Sequence, residues 1–324
     1  MVDQYGRTID YMRISITDRC NLRCIYCMPE KGIECIPHNE ILTYEEILRL
    51  VKAAAANGIS KIKITGGEPL VRKNAAELIG KIKLVEGIQE VTLTTNGVLF
   101  KEQGAGLVEA GLDGVNFSLD TQNASNFSRI TRVDTYRQVI ASIEYSLQLG
   151  IRTRINCVPI QPYDYTDLAA LAEFARNNPI DVRFIELMPI GLGLQYEPVR
   201  SEIILDQLTR EYGVPDISYT THGNGPARYY DFPGFKGSIG FISPMSDIFC
   251  ENCNRIRLTA SGTLKLCLCN NKSLELKPLI RNGISDDQLA DVIRNAVFDK
   301  PQSHHLNEPA DETSETQKMV QIGG

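Results

Sequence analysis

The sequence predicts an α/β fold, an incomplete (β/α)6 TIM-type barrel followed by a β-rich C-terminal extension. Three observations carry this. Strand-like and helix-like runs alternate six times before Gly213. Their connections have the length of crossovers between parallel strands, which are right-handed and curl a sheet toward a barrel. Beyond Gly213 the pattern gives way to Gly- and Pro-rich sequence with short β-like runs. Residues 1–213 are therefore expected to form the barrel and residues 214–324 the extension, with the chemistry at the C-terminal ends of the barrel strands.

Residues 12–17 alternate as a strand and run straight into Cys20. Thr43-Tyr44-Glu45-Glu46 is a capping box, stapled by Leu42 and Ile47, and opens a helix that stops before Gly58. Residues 61–65 form the second strand, ending in Gly66-Gly67-Glu68-Pro69, and Asn74 opens a helix carrying Leu78, Ile79 and Ile82. Strands follow at residues 91–95, 114–119, 151–158 and 182–187, separated by helices near Leu107, from Thr135 and over residues 168–175. In the extension, β-like runs cover residues 228–232, 238–242 and 255–269, and Ser285-Asp286-Asp287-Gln288 caps a last helix stapled by Ile284 and Leu289.

The 324 residues, 43% hydrophobic and 23% charged, allow a large globular core. No run of ~18 apolar residues could cross a membrane, and Met1 to Arg7 lacks the apolar core of a secretory signal. A cytosolic location without a membrane partner is expected. There the nine cysteines stay reduced, which favours metal or cluster ligation, or burial, over disulfides. The net charge of −6 argues against a nucleic-acid partner. It leaves room for a small anion held by a few arginines focused in one cleft.

Cys20-Asn21-Leu22-Arg23-Cys24-Ile25-Tyr26-Cys27 places three thiols in one loop after a strand. Three thiolates can hold three irons of a [4Fe-4S] cluster and leave the fourth open. A zinc knuckle lacking one ligand, or three buried thiols, fits the spacing equally well. A second set, Cys250-x2-Cys253-x13-Cys267, has Cys269 two residues on. By spacing alone it is a structural-zinc pattern. Arg255 and Arg257 follow on one strand face, suited to bidentate phosphate contacts or simply solvated.

The C-x3-C-x2-C spacing with an aromatic residue before the last cysteine resembles the signature of the radical S-adenosylmethionine (SAM) superfamily. Gly66-Gly67-Glu68-Pro69 resembles its motif for the SAM amino group. The resemblance implies a barrel of the radical SAM type with a [4Fe-4S] cluster on Cys20, Cys24 and Cys27. Its open iron would chelate SAM, and an electron from the cluster would cleave the sulfonium bond to a 5′-deoxyadenosyl radical. Tyr26, Gly67, Ser118 and Met188 are the implied SAM contacts.

Nearly the whole chain is similar to one family within this superfamily, GTP 3′,8-cyclase, or molybdenum cofactor biosynthesis protein A. The match runs through Asp18-Arg19-Cys20-Asn21, Cys27-Met28-Pro29, Ile64-Thr65-Gly66-Gly67-Glu68-Pro69, Arg183-Phe184-Ile185-Glu186, Gly240-Phe241-Ile242-Ser243-Pro244 and the terminal Gly323-Gly324. The resemblance implies a lyase that converts GTP to (8S)-3′,8-cyclo-7,8-dihydroguanosine 5′-triphosphate in the first step of molybdenum cofactor (molybdopterin) biosynthesis. It implies a second [4Fe-4S] cluster on Cys250, Cys253 and Cys267, whose open iron meets the guanine. GTP contacts map to Arg13, Lys63, Thr94, Arg154, Arg255 and Arg257, with Lys61 and Arg183 nearby. Arg257, Gly323 and Gly324 are implied in catalysis, the Gly-Gly tail reaching into the active site. A homodimer, an electron donor for the cluster, and onward use of the product by cyclic pyranopterin monophosphate synthase are implied as well.

Departures from the family are few. Position 63 is Lys where the family usually has Arg, and Cys35 and Cys269 stand where apolar residues are expected. If Ser261-Gly262-Thr263 is a three-residue turn, Arg257 faces Cys267 and the substrate wall is continuous, whereas a two-residue turn would put them on opposite faces. Two other readings stand beside the cyclase: a radical SAM enzyme that modifies a peptide with help from an auxiliary cluster, and a zinc-binding interaction module without catalysis.

Overall fold

A computed structural model describes residues 1–323 other than Thr221, Asn307, Pro309, Ala310, Asp311 and Thr313. The repeating part comprises β1 (Tyr11–Ser15), α1 (Tyr44–Ala56), β2 (Lys61–Thr65), α2 (Ala75–Lys83), β3 (Glu90–Thr95), α3 (Phe100–Glu109), β4 (Gly114–Ser118), α4 (Ala124–Thr131), α5 (Tyr136–Gln148), β5 (Arg152–Cys157), α6 (Tyr165–Asn177), β6 (Asp181–Ile185) and α7 (Ser201–Tyr212). The remainder adds β7 (Asp216–Ile217), β8 (Arg228–Asp231), β9 (Ile239–Ile242), β10 (Arg255–Leu258), β11 (Thr263–Lys265), β12 (Ser273–Glu275), α8 (Lys277–Arg281), α9 (Asp286–Phe298) and α10 (Met319–Ile322).

All strands belong to one 12-stranded sheet ordered β12-β11-β10-β1-β2-β3-β4-β5-β6-β9-β8-β7. From β10 through β9 every neighbouring pair is parallel, and the outer pairs are antiparallel hairpins. The strands after Gly213 thus extend the six-stranded repeat at both edges, β9 along β6 and β10 along β1. Side chains from β1, β2, β3, β5, β6, β9 and β10 line a common cavity, so the sheet curls around its own interior. The opposite face carries Ile14, Ile62, Ile64, Val91, Leu93, Val115, Phe117, Ile155, Val182 and Phe184, all buried beneath the helices.

Two helix starts form as their sequences dictate. Thr43 Oγ1 accepts from Glu46 N at 3.2 Å while Glu46 Oε2 accepts from Thr43 N at 2.8 Å, and Ser285 and Gln288 make the same reciprocal pair. Asn74 instead takes a left-handed conformation, φ 62°, and makes no side-chain cap, and Thr135 makes none either. Helix α9 closes the outer layer by docking on α1, through Arg49 Nε to Asp286 Oδ1 at 2.6 Å and Asn57 Nδ2 to the Ala290 carbonyl at 2.8 Å. No helix among the described residues is long and apolar enough to cross a membrane.

The β10–β11 turn settles the facing of its arginines. Arg257 pairs with Lys265, and Leu258 with Leu264, leaving Ala260-Ser261-Gly262 as a three-residue connection closed by Thr259 N to Thr263 O at 2.9 Å. Gly262 has φ +89°, the left-handed residue that such a turn requires. Arg255, Arg257 and Lys265 therefore share one face, and the direct neighbour of Arg257 is Lys265 rather than Cys267.

Candidate active site

The first thiol set occupies the loop between β1 and α1. Its backbone is fixed from two sides. Arg23 N and Ile25 N donate to the carbonyls of Thr131 and Ile130 at the end of α4, and Arg132 Nη1 donates to the Arg23 and Met28 carbonyls at 3.0 and 3.1 Å. On the other side Gly67 N donates to Thr17 O at 2.7 Å and Glu68 N to Arg19 O at 2.8 Å. A Cβ on Gly66 would stand 2.7 Å from Thr17 O, and one on Gly67 2.4 Å from Arg19 O. The glycine pair thus lets the turn after β2 lie directly against the cysteine loop.

Cys20, Cys24 and Cys27 line one cavity of about 260 Å³ together with Tyr26, Gly67, Thr94, Ser118, Met188, Arg13 and Arg257. Ten of the residues expected at the site are therefore brought together. Burial drives the Cys24 thiol well up, with Cys27, Asp120 and Cys20 adding to it, and Cys27 is pushed up to about 12 by burial and then by Cys20. N–H groups nevertheless point at the sulfurs: Leu22 N lies 3.4 Å from Cys20 Sγ, and the Val320 amide donates to Cys27. Donors aimed at sulfurs that resist ionisation on their own suit thiolates bound to a cationic metal group. Among the described residues no three His, Cys, Asp or Glu converge on one point as a single ion requires.

Two carboxyls face the same cavity, Glu68 of the Gly66-Gly67-Glu68-Pro69 motif and Asp120, which sequence reasoning had not singled out. Asp120 accepts from Tyr26 Oη at 2.7 Å and from Val158 N at 2.8 Å, and burial pushes it up to about 6. Glu68 accepts from Leu70 N, Thr95 Oγ1 and Asn96 N at 3.0, 2.7 and 2.7 Å, and burial outweighs these bonds to bring it to about 7. The signal for Asp120 was its place two residues beyond Ser118 at a strand end.

A second cavity lies deeper along the strands, sharing Arg13, Thr94, Asn156 and Ile185 with the first. It is lined by Lys63, Arg154, Arg183 and Arg255. The cations are thus inside the barrel, on the inward positions of β1, β2, β5, β6 and β10, and not confined to its mouth. Arg183 is held by Asn156 Oδ1 and Asn116 Oδ1, each at 2.9 Å. Arg154 is held by Asp181 at 3.1 Å and by the His222 carbonyl. Burial pushes Lys63 well below its ordinary value, and the charges of Arg183, Arg13 and Arg154 push the same way. Arg255 Nε is buried without a hydrogen-bond partner among the described residues. Glu90 is the one carboxylate lining this cavity among the described residues. Lys61 pairs instead with Asp10 at 2.7 Å.

Cys250 and Cys253 lie on the crossing from β9 to β10, which carries the chain from one side of the parallel run to the other. These two and Cys267 line neither cavity. Cys267, Leu268, Met188 and Met319 pack against one small apolar cluster of Ile190, Cys269 and Ile322, and Leu268, Met319 and Val320 wall the first cavity. Each of the three sulfurs receives a backbone N–H: Cys250 from His304, Cys253 from Arg255 and Cys267 from Cys269. The same donor chemistry suits a second cluster. The tail follows this wall inward. Arg257 Nη1 donates to the Gly323 carbonyl at 3.2 Å, with Thr65 Oγ1 at 3.4 Å, and Gly323, at φ +79°, is so close that a Cβ would stand 3.0 Å from Ser15 Cβ. Gly324 lies outside the described residues.

Comparison with known proteins agrees with this geometry. Residues 14–175 match the family model for the radical SAM superfamily, and residues 180–306 match that for Molybdenum Cofactor Synthesis C. A GTP 3′,8-cyclase of Clostridium perfringens is 44% identical over 324 residues, covering all of both chains. The chain belongs to the GTP 3′,8-cyclase family. A second such relative, from Desulforamulus reducens, is 45% identical over the full length of both. Molybdenum cofactor biosynthesis protein 1 of Drosophila melanogaster is 42% identical over 94% of this chain and 54% of its own. Among solved structures, Streptococcus suis SuiB bound to S-adenosylmethionine shares the fold at TM-score 0.61 and 16% identity, covering 97% of this chain and 77% of that one.

Proposed function

We propose that this enzyme of the GTP 3′,8-cyclase family converts GTP to (8S)-3′,8-cyclo-7,8-dihydroguanosine 5′-triphosphate, the first committed product toward molybdenum cofactor. One observation carries the reading. A set of cations on inward strand positions, Arg13, Lys63, Arg154, Arg183 and Arg255, with Glu90 as its one lining carboxylate among the described residues, adjoins the cavity lined by Cys20, Cys24 and Cys27. Like charges gathered in one cavity need a polyanion to offset them, and a triphosphate has the charge and reach. The peptide-modifying alternative is not favoured, because full-length relatives are named GTP 3′,8-cyclase and the likeness to SuiB is one of fold alone.

In this reading Cys20, Cys24 and Cys27 hold the first [4Fe-4S] cluster, and Tyr26, Gly67, Ser118 and Met188 contact SAM. When bound, these groups supply the reducing electron and the radical that removes hydrogen from the ribose. Arg13, Lys63, Thr94, Arg154, Arg255 and Arg257 bind GTP along the barrel interior. Lys63 is a point charge where the family's usual Arg is a fork, so it orients the phosphate less strictly. Arg257 and the Gly323-Gly324 tail close the space above the substrate and keep water from it. Cys250, Cys253 and Cys267 hold the second [4Fe-4S] cluster, so residues 214–324 add that cluster, Arg255 and Arg257 to a substrate site that residues 1–213 also line, while radical generation belongs to residues 1–213. The reading includes a cytoplasmic homodimer, an electron donor and a downstream cyclic pyranopterin monophosphate synthase. Anaerobically reconstituted protein given SAM, GTP and dithionite should yield 5′-deoxyadenosine and cyclised GTP together. 5′-Deoxyadenosine formed at a rate that GTP does not change, with no cyclised nucleotide formed from GTP, would overturn the substrate assignment.

A further inference from the structure

Lys300 follows α9 and is only 2% exposed, one of the largest fully buried side chains in the protein. Its ammonium donates to the carbonyl of Leu266, the residue before Cys267. Arg7 ties it to the other thiols. The Arg7 guanidinium, itself paired with Asp3 at 2.6 Å, donates to the carbonyls of Lys300, Pro301 and Gln302 and, at 2.9 Å, to that of Cys250. The N-terminal segment thus clamps the Lys300 backbone and the Cys250 backbone with one side chain.

A buried ammonium needs a counter-charge. Lys265, equally buried on β11, has one in Glu315. Lys300 has no ion-pair carboxylate among the described residues, and its ammonium is bonded to a neutral carbonyl. What surrounds it is the second thiol set: its ammonium is bonded to the carbonyl next to Cys267, and Arg7 ties its backbone to that of Cys250.

We propose that Lys300 is the fixed counter-charge of the second iron–sulfur cluster and holds its reduction potential up. The inference rests on the assignment of that cluster to Cys250, Cys253 and Cys267. Lys300 acts through these thiolates and touches no substrate. A positive charge beside the cluster stabilises the reduced, more negative form, so removing it makes reduction harder.

The test is an EPR-monitored redox titration of the full chain with Cys20, Cys24 and Cys27 all changed to Ser, so that only the second cluster contributes. Iron content of that parent near four per chain establishes the cluster; a parent without iron overturns the cluster assignment and the proposal with it, a failure distinct from an unmoved midpoint. Lys300→Met should lower the midpoint, leaving the reduced-to-oxidised ratio about tenfold smaller at the parental midpoint, while Lys300→Arg should stay near the parent. A Lys300→Met midpoint equal to the parent's would overturn the proposal. Where Lys300→Met takes up no iron, Lys300→Arg decides: parental iron and midpoint support the counter-charge, and loss of iron in both overturns it.

Discussion

The two thiol sets have the same count and opposite surroundings. Around Cys20, Cys24 and Cys27 the nearby ionisable groups include Asp120 and Glu68, and all three thiols are pushed up, first by burial. Around Cys253 and Cys267 the neighbours are Lys300, Arg255 and His304. Burial opposes ionisation of Cys253, yet Lys300 and Arg255 outweigh it. Cys267 is lowered, chiefly through its hydrogen bond from Cys269, whereas Cys250 is raised, first by burial. The contrast fits the proposed roles. In that reading the first set meets a cofactor with its own ammonium and sulfonium charges, which carboxyls suit, and the second holds a cluster whose thiolates neighbouring cations suit.

Predictions that press on this contrast run from large effects to small. Arg257→Ala removes a cation between the two regions and the donor to the Gly323 carbonyl. Cyclisation should fall about 100-fold while GTP-independent SAM cleavage persists, as read by separate quantification of the two products; equal losses in both would place Arg257 with the first region instead. Lys265→Met strands Glu315 as a buried charge. It should cost ~3 kcal/mol, seen as faster tryptic release of the C-terminal tail at unchanged iron content, and unchanged proteolysis would mean the tail is held elsewhere.

The acidic side of the contrast gives a pH signature. Glu68 rises from 4.5 to about 7 and Asp120 from 3.8 to about 6 on folding. Between the unfolded and folded values the native state holds more protons than the unfolded chain, so stability falls as pH rises through that window. Chemical denaturation of SAM-free protein from pH 4.5 to 7 should lose roughly 2–3 kcal/mol to Glu68, and Glu68→Gln should flatten that slope. A slope unchanged in the variant would contradict the assignment.

Much of this was legible in the chain. The capping boxes at Thr43 and Ser285 have local causes and formed as read, and the six strands lie within a residue or two of their hydrophobic patterns. Helices α4 and α7 went unread. Asn123 caps α4 by accepting from Ser125 N and Asn126 N, a signal available in sequence, whereas α7 starts at Arg200 with no side-chain cap. Pairing of β10 with β1 and of β9 with β6 is non-local, so no pattern in residues 214–324 could reveal that they complete the same sheet. Site residues carrying thiols or charge at motif positions could be named from sequence. Asn116 and Asn156, which orient Arg183, could not, because neutral amides on inward strand positions look like any half-buried polar residue. Arg7, Lys300 and His304 were missed for a related reason. Each reaches the second thiol set from a distant segment.

The central claim is a division of labour, with the first thiol set generating the radical and the second holding the substrate. Parallel anaerobic product assays on Cys24→Ser and Cys253→Ser test it most directly. Cys24→Ser should lose both 5′-deoxyadenosine and cyclised GTP. Cys253→Ser should still cleave SAM but form no cyclised GTP, and its cyclising GTP at the parental rate would contradict the account.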